Sequence, residues 1–294
     1  MKVRCPAKIN LYLRILGKRP DGFHELETLM CPVSLFDEME LERADGGVEL
    51  RVEGADIPAG DDNLVVRAAR LLQEFSGKSH GARIFLRKAI PVGGGLAGGS
   101  SNAALALLAL NRLWDCGLPM EKLEQAAASM GSDINFFLYR KPAICRGRGE
   151  QVEPVELSRP LAGLLVNPGF GVPTPWAYKT YAANPRKGEL GRLLLQSRAG
   201  KGAAWQEFRL QNDLEPAVFD KYLWIREAGR WLARQNDVLD SMMSGSGATV
   251  FALLENKVQA ECVAAKARDY FGARTWIQPV DLLTKGWNYE FLSD

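Results

Sequence analysis

Hydrophobic and polar positions alternate with a period near two at the start of the chain, most clearly in INLYLRIL. Residues 2–16 therefore predict a strand, interrupted near Pro6, which has no N–H for a ladder. KRPDGF (18–23) is a turn by its Pro-Asp-Gly core. Residues 26–54 predict two or three short strands, among them MELERA and VELRVEG. Over 62–75 the period lengthens, and Leu64, Ala68, Leu71 and Leu72 share one helical face. RIFLRKAI (83–90) returns to strand. After a glycine-rich run, SNAALALLALNRLW (101–114) is nearly all apolar and helix-favouring, which predicts a buried helix. A helix over 120–130 and a strand and turn over 143–155 follow. Beyond Pro160 the pattern restarts with strand LAGLLVN, turn-rich PGFGVPTP, helix WAYKTYA and a polar connector near QSRAGKGAA. Helical KYLWIREAGRWLARQ, a second glycine run SGSGAT, strand VFALLE, a helix over 257–270 and a last strand complete it.

This order does not alternate as a doubly wound sheet would. It predicts an α+β fold with helices packed on largely antiparallel sheets, in two domains, 1–156 and 157–294. The charge balance, 37 Lys and Arg against 35 Asp and Glu in 294 residues, argues against a nucleic-acid partner. No apolar run approaches the roughly 18 residues of a membrane helix, and MKVRCPAKIN lacks the apolar core of a signal peptide. Five widely spaced cysteines and two histidines predict free thiols in a reducing, cytoplasmic setting, with no zinc site.

The candidate chemistry lies in PVGGGLAGGSSNAA (91–104), where five of fourteen residues are glycine. Glycines let backbone approach a ligand, and the following helix starts with unpaired N–H groups and a positive dipole end. Together they form an anion site suited to phosphate, with Ser100 and Ser101 available to cap the helix; a plain turn is the alternative. Gly93-x-Gly95-x-x-Gly98 satisfies the dinucleotide pattern in letters only. The nearest acid, Asp115, ends a helix and a second helix follows, not the second strand that the pattern requires. No lysine precedes the serines, so it is not a Walker loop either.

The loop resembles the glycine–serine signature of the GHMP kinases. PAKINLYLRILGKRPDGFHELETLM (6–30), NPGFGVPTPWAY (167–178), QNDLEPAV (211–218) and MSGSGATVFA (243–252) are similar, in order, to segments of the 4-diphosphocytidyl-2-C-methyl-D-erythritol kinase family. The resemblance covers about residues 5 to 255. It implies ATP-dependent phosphorylation of the 2-hydroxyl of the methylerythritol unit, with ATP and substrate meeting in a cleft between two domains. It implies ATP and Mg²⁺ as cofactors, a small-molecule substrate, and a monomer or weak homodimer.

Residue by residue, the resemblance implies Asp133 as base and Lys8 beside it; a capping aspartate and an edge-strand lysine are the alternatives. It implies phosphate contacts from Pro91, Val92, Gly93, Gly94, Gly95, Leu96, Ala97, Gly98, Gly99, Ser100 and Ser101, with Ser101 a candidate for Mg²⁺. Asn63 and Leu64 resemble the segment beside adenine, although capping explains Asn63 equally well. Asn10, Phe23, His24, Thr174 and Tyr178 resemble substrate-side positions. Gly245 and Ser246 repeat the logic of the first loop, with a tight turn as the alternative. Three departures stand out. Phe23 replaces the family's usual Tyr, Gly-Ser-Asp-Ile-Asn (131–135) replaces Gly-Ala-Asp-Val-Pro, and Arg146 and Arg148 add positive charge near the cleft, read as surface solvation. A homoserine- or mevalonate-type kinase would not need the DGFH and PTP segments. A catalytically dead relative would lack the lysine or the aspartate.

Overall fold

The computed structural model describes residues 1–78, 80–200 and 202–287. The first half opens with β1 (Lys2–Lys18), β2 (His24–Ala44) and β3 (Val48–Glu53), then α1 (Leu64–Ser76) and β4 (Gly81–Arg87). It continues through α2 (Gly98–Leu113), α3 (Met120–Met130), α4 (Ile134–Tyr139), β5 (Ala143–Gly147) and β6 (Gln151–Pro154). The second half holds β7 (Glu156–Leu157), β8 (Ala162–Asn167), α5 (Thr174–Ala183), β9 (Leu194–Arg198), β10 (Gln206–Arg209) and β11 (Gln211–Asn212). After them come α6 (Glu215–Lys221), α7 (Leu223–Ala233), β12 (Asp240–Met243), β13 (Val250–Leu254), α8 (Lys257–Phe271) and β14 (Trp276–Asp281).

The strands form a seven-stranded, a three-stranded and a four-stranded sheet. Pairing is antiparallel except at β3–β4 and β1–β11. Helices α1 to α4 cover one face of the first sheet through a core that includes Leu72, Leu107, Trp114 and Phe137. Helices α5 to α8 cover the four-stranded sheet. The uncovered faces meet in a third core, where Ile9, Leu11 and Val33 pack with Leu165, Phe251 and Val280. The α+β architecture expected from the pattern is the one observed.

Several elements differ from the expectation. The short strands of 26–54 are one long β2 followed by β3, because β2 pairs in turn with β1, β4 and β5 along its length. The connector near 196–204 contains the end of β9, which pairs with β10 as a hairpin; polar residues on an edge sheet read as loop. The strand over 83–90 ends at Arg87, and the helix over 221–235 is broken at Tyr222, whose backbone is not helical.

A register shift between Pro6 and Ala7 positions the site. Before it, Val3 and Cys5 face the helix-covered core; after it, Ala7, Ile9 and Leu11 face the inter-sheet core. Ser34 and Leu35 of β2 have no partner in β1 at this irregularity, and beyond it Lys8 and Asn10 turn toward the helix side, where the glycine loop lies. The expected interruption at Pro6 is thus a bulge within a continuous strand.

Candidate active site

The segment leading into the glycine loop is held by a buried network that the sequence reading missed. The Asp37 carboxylate accepts N–H bonds from Ala89 (2.8 Å), Ile90 (2.9 Å) and the Asn102 amide (3.0 Å), and pairs with the Lys88 ammonium. Lys88 donates also to Asn102 Oδ1 at 3.0 Å. A buried carboxylate is tolerated only when its lone pairs are filled, and here they are. The network ties the residues before the loop to the helix after it. Asp37 lies among alternating charges in FDEMELER and Lys88 in LRKAI, and neither stretch carries a local pattern that marks a buried pair.

The loop itself turns its carbonyls into protein. Gly94 O accepts from Thr249 N (3.1 Å), Gly95 O from Ser244 Oγ and Lys8 Nζ (3.0 Å each), and Leu96 O from Lys8 N (3.1 Å). Gly95 has φ of 77°, and a Cβ there would overlap the Ser244 carbonyl oxygen, so glycine is required. Helix α2 starts at Gly98, earlier than expected, so Gly98, Gly99 and Ser100 form its first turn. No serine caps it: the cap is Ala97 in a left-handed conformation with no side-chain bond. The first-turn N–H groups therefore have no intrahelical acceptor and belong to residues lining the cleft.

That cleft measures about 1060 Å³. Pro91 to Gly95, Ala97 to Ser100, Lys8, Asn10, Asp133, Phe23, His24, Thr174, Tyr178, Gly245, Ser246, Asn63 and Leu64 all line it. Leu96 does not; it packs in the inter-sheet core. Ser101 is fully buried on the second turn, its Oγ without a hydrogen-bond partner among the described residues, and Ser100 takes the cleft-facing position.

Lys8 is buried, with 4% of its side chain exposed, and its Nζ has three partners. It donates to Asn10 Oδ1 (2.7 Å) and Gly95 O (3.0 Å), and it stands 3.6 Å from Asp133 Oδ2. Asn10 Nδ2 in turn donates to Thr28 Oγ1 at 2.8 Å, which orients the amide toward the lysine. Burial lowers the Lys8 pKa from the ordinary lysine value, and the Asp133 carboxylate opposes that shift. Asp133 occupies the cap position of α4, yet its side chain caps nothing and is 36% exposed to the cleft. The capping alternative fails for Asp133 and holds for Asn63, whose Oδ1 accepts from Val65 N at 2.9 Å.

Across the cleft, His24 stacks on Tyr178 with ring centroids 5.4 Å apart and planes 27° apart. Burial, and secondarily Lys18, lowers the His24 pKa, which favours the neutral ring. Burial raises the Tyr178 phenol, and the Asp133 charge adds to it. Thr174 and Ser246 share a hydrogen bond of 2.8 Å. Phe23 is 52% exposed. Arg146 pairs with Glu27 and Glu153, as a solvated residue would. Arg148 does not conform: it lines the cleft with its guanidinium carbon 5.0 Å from the Phe23 ring centre.

The second glycine loop is fixed from behind by residues not singled out in the sequence. Asn212 Nδ2 donates to Met243 O and Gly245 O at 2.8 Å each, and the Glu215 carboxyl accepts from Met243 N at 2.8 Å. Gly245 has φ of 57°, and a Cβ there would stand 3.4 Å from Lys8 Nζ and Asn10 Oδ1. The two loops thus converge on one lysine.

Comparison with known proteins agrees. Models of the GHMP kinases N terminal domain and the GHMP kinases C terminal region match residues 63–141 and 182–273. The 4-diphosphocytidyl-2-C-methyl-D-erythritol kinase of Methylacidiphilum infernorum is 44% identical over 283 residues, covering 95% of this chain and 96% of that one. The chain belongs to this kinase family. The enzyme of the same name from Pelotomaculum thermopropionicum is 43% identical over 265 residues, covering 89% and 92% of the two chains. The crystal structure of a 4-(cytidine 5'-diphospho)-2C-methyl-D-erythritol kinase superposes with a TM-score of 0.75 at 32% identity, covering 98% of this chain and all of that one. A homoserine kinase from Cytophaga hutchinsonii, at 19% identity and a TM-score of 0.68 over 99% and 96% of the chains, shares the fold. Membership makes the chain a GHMP kinase, for which ATP is the phosphoryl donor. No helix among the described residues is long and apolar enough to cross a membrane.

Proposed function

We propose that the enzyme transfers the γ-phosphoryl group of ATP to the 2-hydroxyl of 4-diphosphocytidyl-2-C-methyl-D-erythritol. The observation that carries this reading is the Lys8–Asp133 pair, 3.6 Å apart, open to the same cleft as the glycine loop and the His24–Tyr178 stack. Asp133 accepts the hydroxyl proton, the oxygen attacks the γ-phosphorus, and the bond to the β,γ-bridging oxygen breaks to release ADP. Lys8 stands 3.6 Å from the Asp133 carboxylate and offsets charge at the reacting oxygens. The N–H groups of α2's first turn hold the phosphates. Leu64 and the backbone near Asn63 bound the adenine. Phe23, His24 and Tyr178 hold the cytosine by ring contact and its polar edge.

A bound Mg²⁺ would neutralise charge on the phosphates during transfer. Ser100, whose position lines the cleft, fits it better than Ser101. We place the division of the chain between residues 156 and 157, within β7 and just after β6, where consecutive strands pass from the first sheet to the three-stranded one.

Coupled ADP release with ATP and Mg²⁺ tests the proposal, comparing the diphosphocytidyl substrate with homoserine and mevalonate. Turnover with the first alone is expected. Turnover with another alcohol in its place overturns the substrate reading and leaves the fold and phosphate loop standing.

A further inference from the structure

Arg148 lies on the tight turn between β5 and β6, in CRGRGE. Its backbone N–H donates to Glu150 Oε2 at 2.7 Å, and Asn135 Nδ2 donates to Glu150 O at 3.1 Å, so the turn is braced against α4. Gly147 (φ 72°) and Gly149 (φ 118°) on either side give the turn its shape. The brace fixes where the side chain emerges. Its guanidinium carbon sits 5.0 Å from the Phe23 ring centre, within range of a cation–π contact. The next residue, Gly149, lies against the base: a Cβ there would be 3.7 Å from Asp133 Oδ1. Arg148 therefore spans the distance between the aromatic wall and the reacting end of the cleft.

The guanidinium has spare bonding capacity. Its Nε is 3.9 Å from Glu150 Oε2, too long for a hydrogen bond, and its terminal nitrogens donate to no group among the described residues. Other arginines of this chain also lie over rings, Arg4 over Phe36 and Arg198 over Trp205 among them, and what sets Arg148 apart from a solvated residue is that it lines the cleft. A guanidinium held over a ring is partly pre-ordered, and its fork of N–H donors matches phosphate oxygens. In the proposed substrate, the group between the cytosine and the reacting alcohol is a diphosphate.

We infer that Arg148 is a substrate-binding residue of this enzyme, held by Phe23 to grip the diphosphate that joins the pyrimidine to the phosphorylated alcohol. The inference rests on the substrate reading above. It gives Phe23 a second use, as the ring that faces the guanidinium. Arg148 takes no part in proton transfer. Its effect falls on substrate affinity and leaves ATP affinity and the chemical step nearly intact.

The test compares equilibrium binding of CDP and of cytidine, with the ATP site filled by a non-hydrolysable ATP analogue. Wild-type protein should bind CDP more tightly than cytidine. Arg148→Met should weaken CDP about tenfold or more, as loss of a charged hydrogen-bond donor does, and change cytidine less than about twofold. Arg148→Lys should restore part of the CDP affinity, because the charge returns without the fork. The advantage of wild type over Arg148→Met should shrink as salt rises, since the site is open to solvent. Melting temperatures establish that both variants are folded. Equal weakening of CDP and cytidine, or no change in either, overturns the assignment. If wild type prefers CDP and Arg148→Met keeps that preference, Arg148 alone loses its role. If wild type binds the ATP analogue but neither cytidine nor CDP, the pyrimidine reading itself falls, and Arg148 with it.

Discussion

A lysine inside a protein is expensive unless its charge is answered, and Lys8 is answered three times, by Asn10, the Gly95 carbonyl and Asp133. Removing the carboxylate's charge tests the chemistry directly. Asp133→Asn should lower kcat by about 10²–10⁴-fold while ATP affinity stays within about twofold, measured by steady-state turnover and nucleotide binding. A kcat near wild type would remove Asp133 from the base role. The pH profile reads the lysine. Because burial lowers the Lys8 pKa, its proton is lost as pH rises through a value below the ordinary lysine value of about 10.4. The alkaline limb of kcat/KM should therefore begin below that value. A flat profile up to the ordinary lysine range would mean that Lys8 is not needed in its charged form.

At the scale of elements, the site depends on two loops, the first of which turns its Gly94 and Gly95 carbonyls onto Thr249 and Ser244 of the second. Gly95 and Ser244 are in direct contact, and the loops bracket Lys8 from two sides. Gly95→Ala should therefore destabilise the fold by about 2–4 kcal/mol in denaturant unfolding, through a left-handed backbone and overlap with the Ser244 carbonyl. It should also lower kcat/KM, since the overlap displaces the backbone that receives Lys8. Unchanged stability would mean that the loop relaxes freely and is no rigid cradle. The expectation of a serine cap for α2 failed for a related reason. A capping side chain would satisfy the N–H groups that a phosphate needs, whereas the left-handed Ala97 leaves them free.

For the whole molecule, the inter-sheet core sets how the halves meet, and a buried acid links stability to pH. Burial raises the Glu215 pKa from 4.5 to about 8, with the charges of Glu189 and Asp240 adding to it and the Met243 N–H opposing. The folded state thus binds a proton that the unfolded state releases between about pH 4.5 and 8. Stability from this group falls as pH rises through that window, and the loss is complete above about pH 8. Glu215→Gln keeps the acceptor for Met243 N–H and removes the ionisation. Its melting temperature should fall less between pH 5 and pH 8 than that of wild type. An identical fall in both proteins would show that Glu215 is not buried as an acid.

The sequence by itself determined the class of fold, and it pointed to the glycine run, Lys8 and Asp133, which the fold brings to one cleft. Periodicity is local, glycines mark where backbone must bend or approach closely, and the motif residues keep their order along the chain. It also identified the free thiols, which are unpaired among the described residues. What only the tertiary structure decided is which charges are buried and which faces turn inward. Asp37 and Lys88 are 51 positions apart, and only the fold brings them together. Asn212 reaches the second glycine loop only because β11 pairs with β1. Arg148 read as surface charge because nothing in CRGRGE records that its turn faces Phe23, 125 residues earlier in the chain (148 − 23). Burial and long-range contact depend on how distant segments pack, and no local pattern of residue types contains that information.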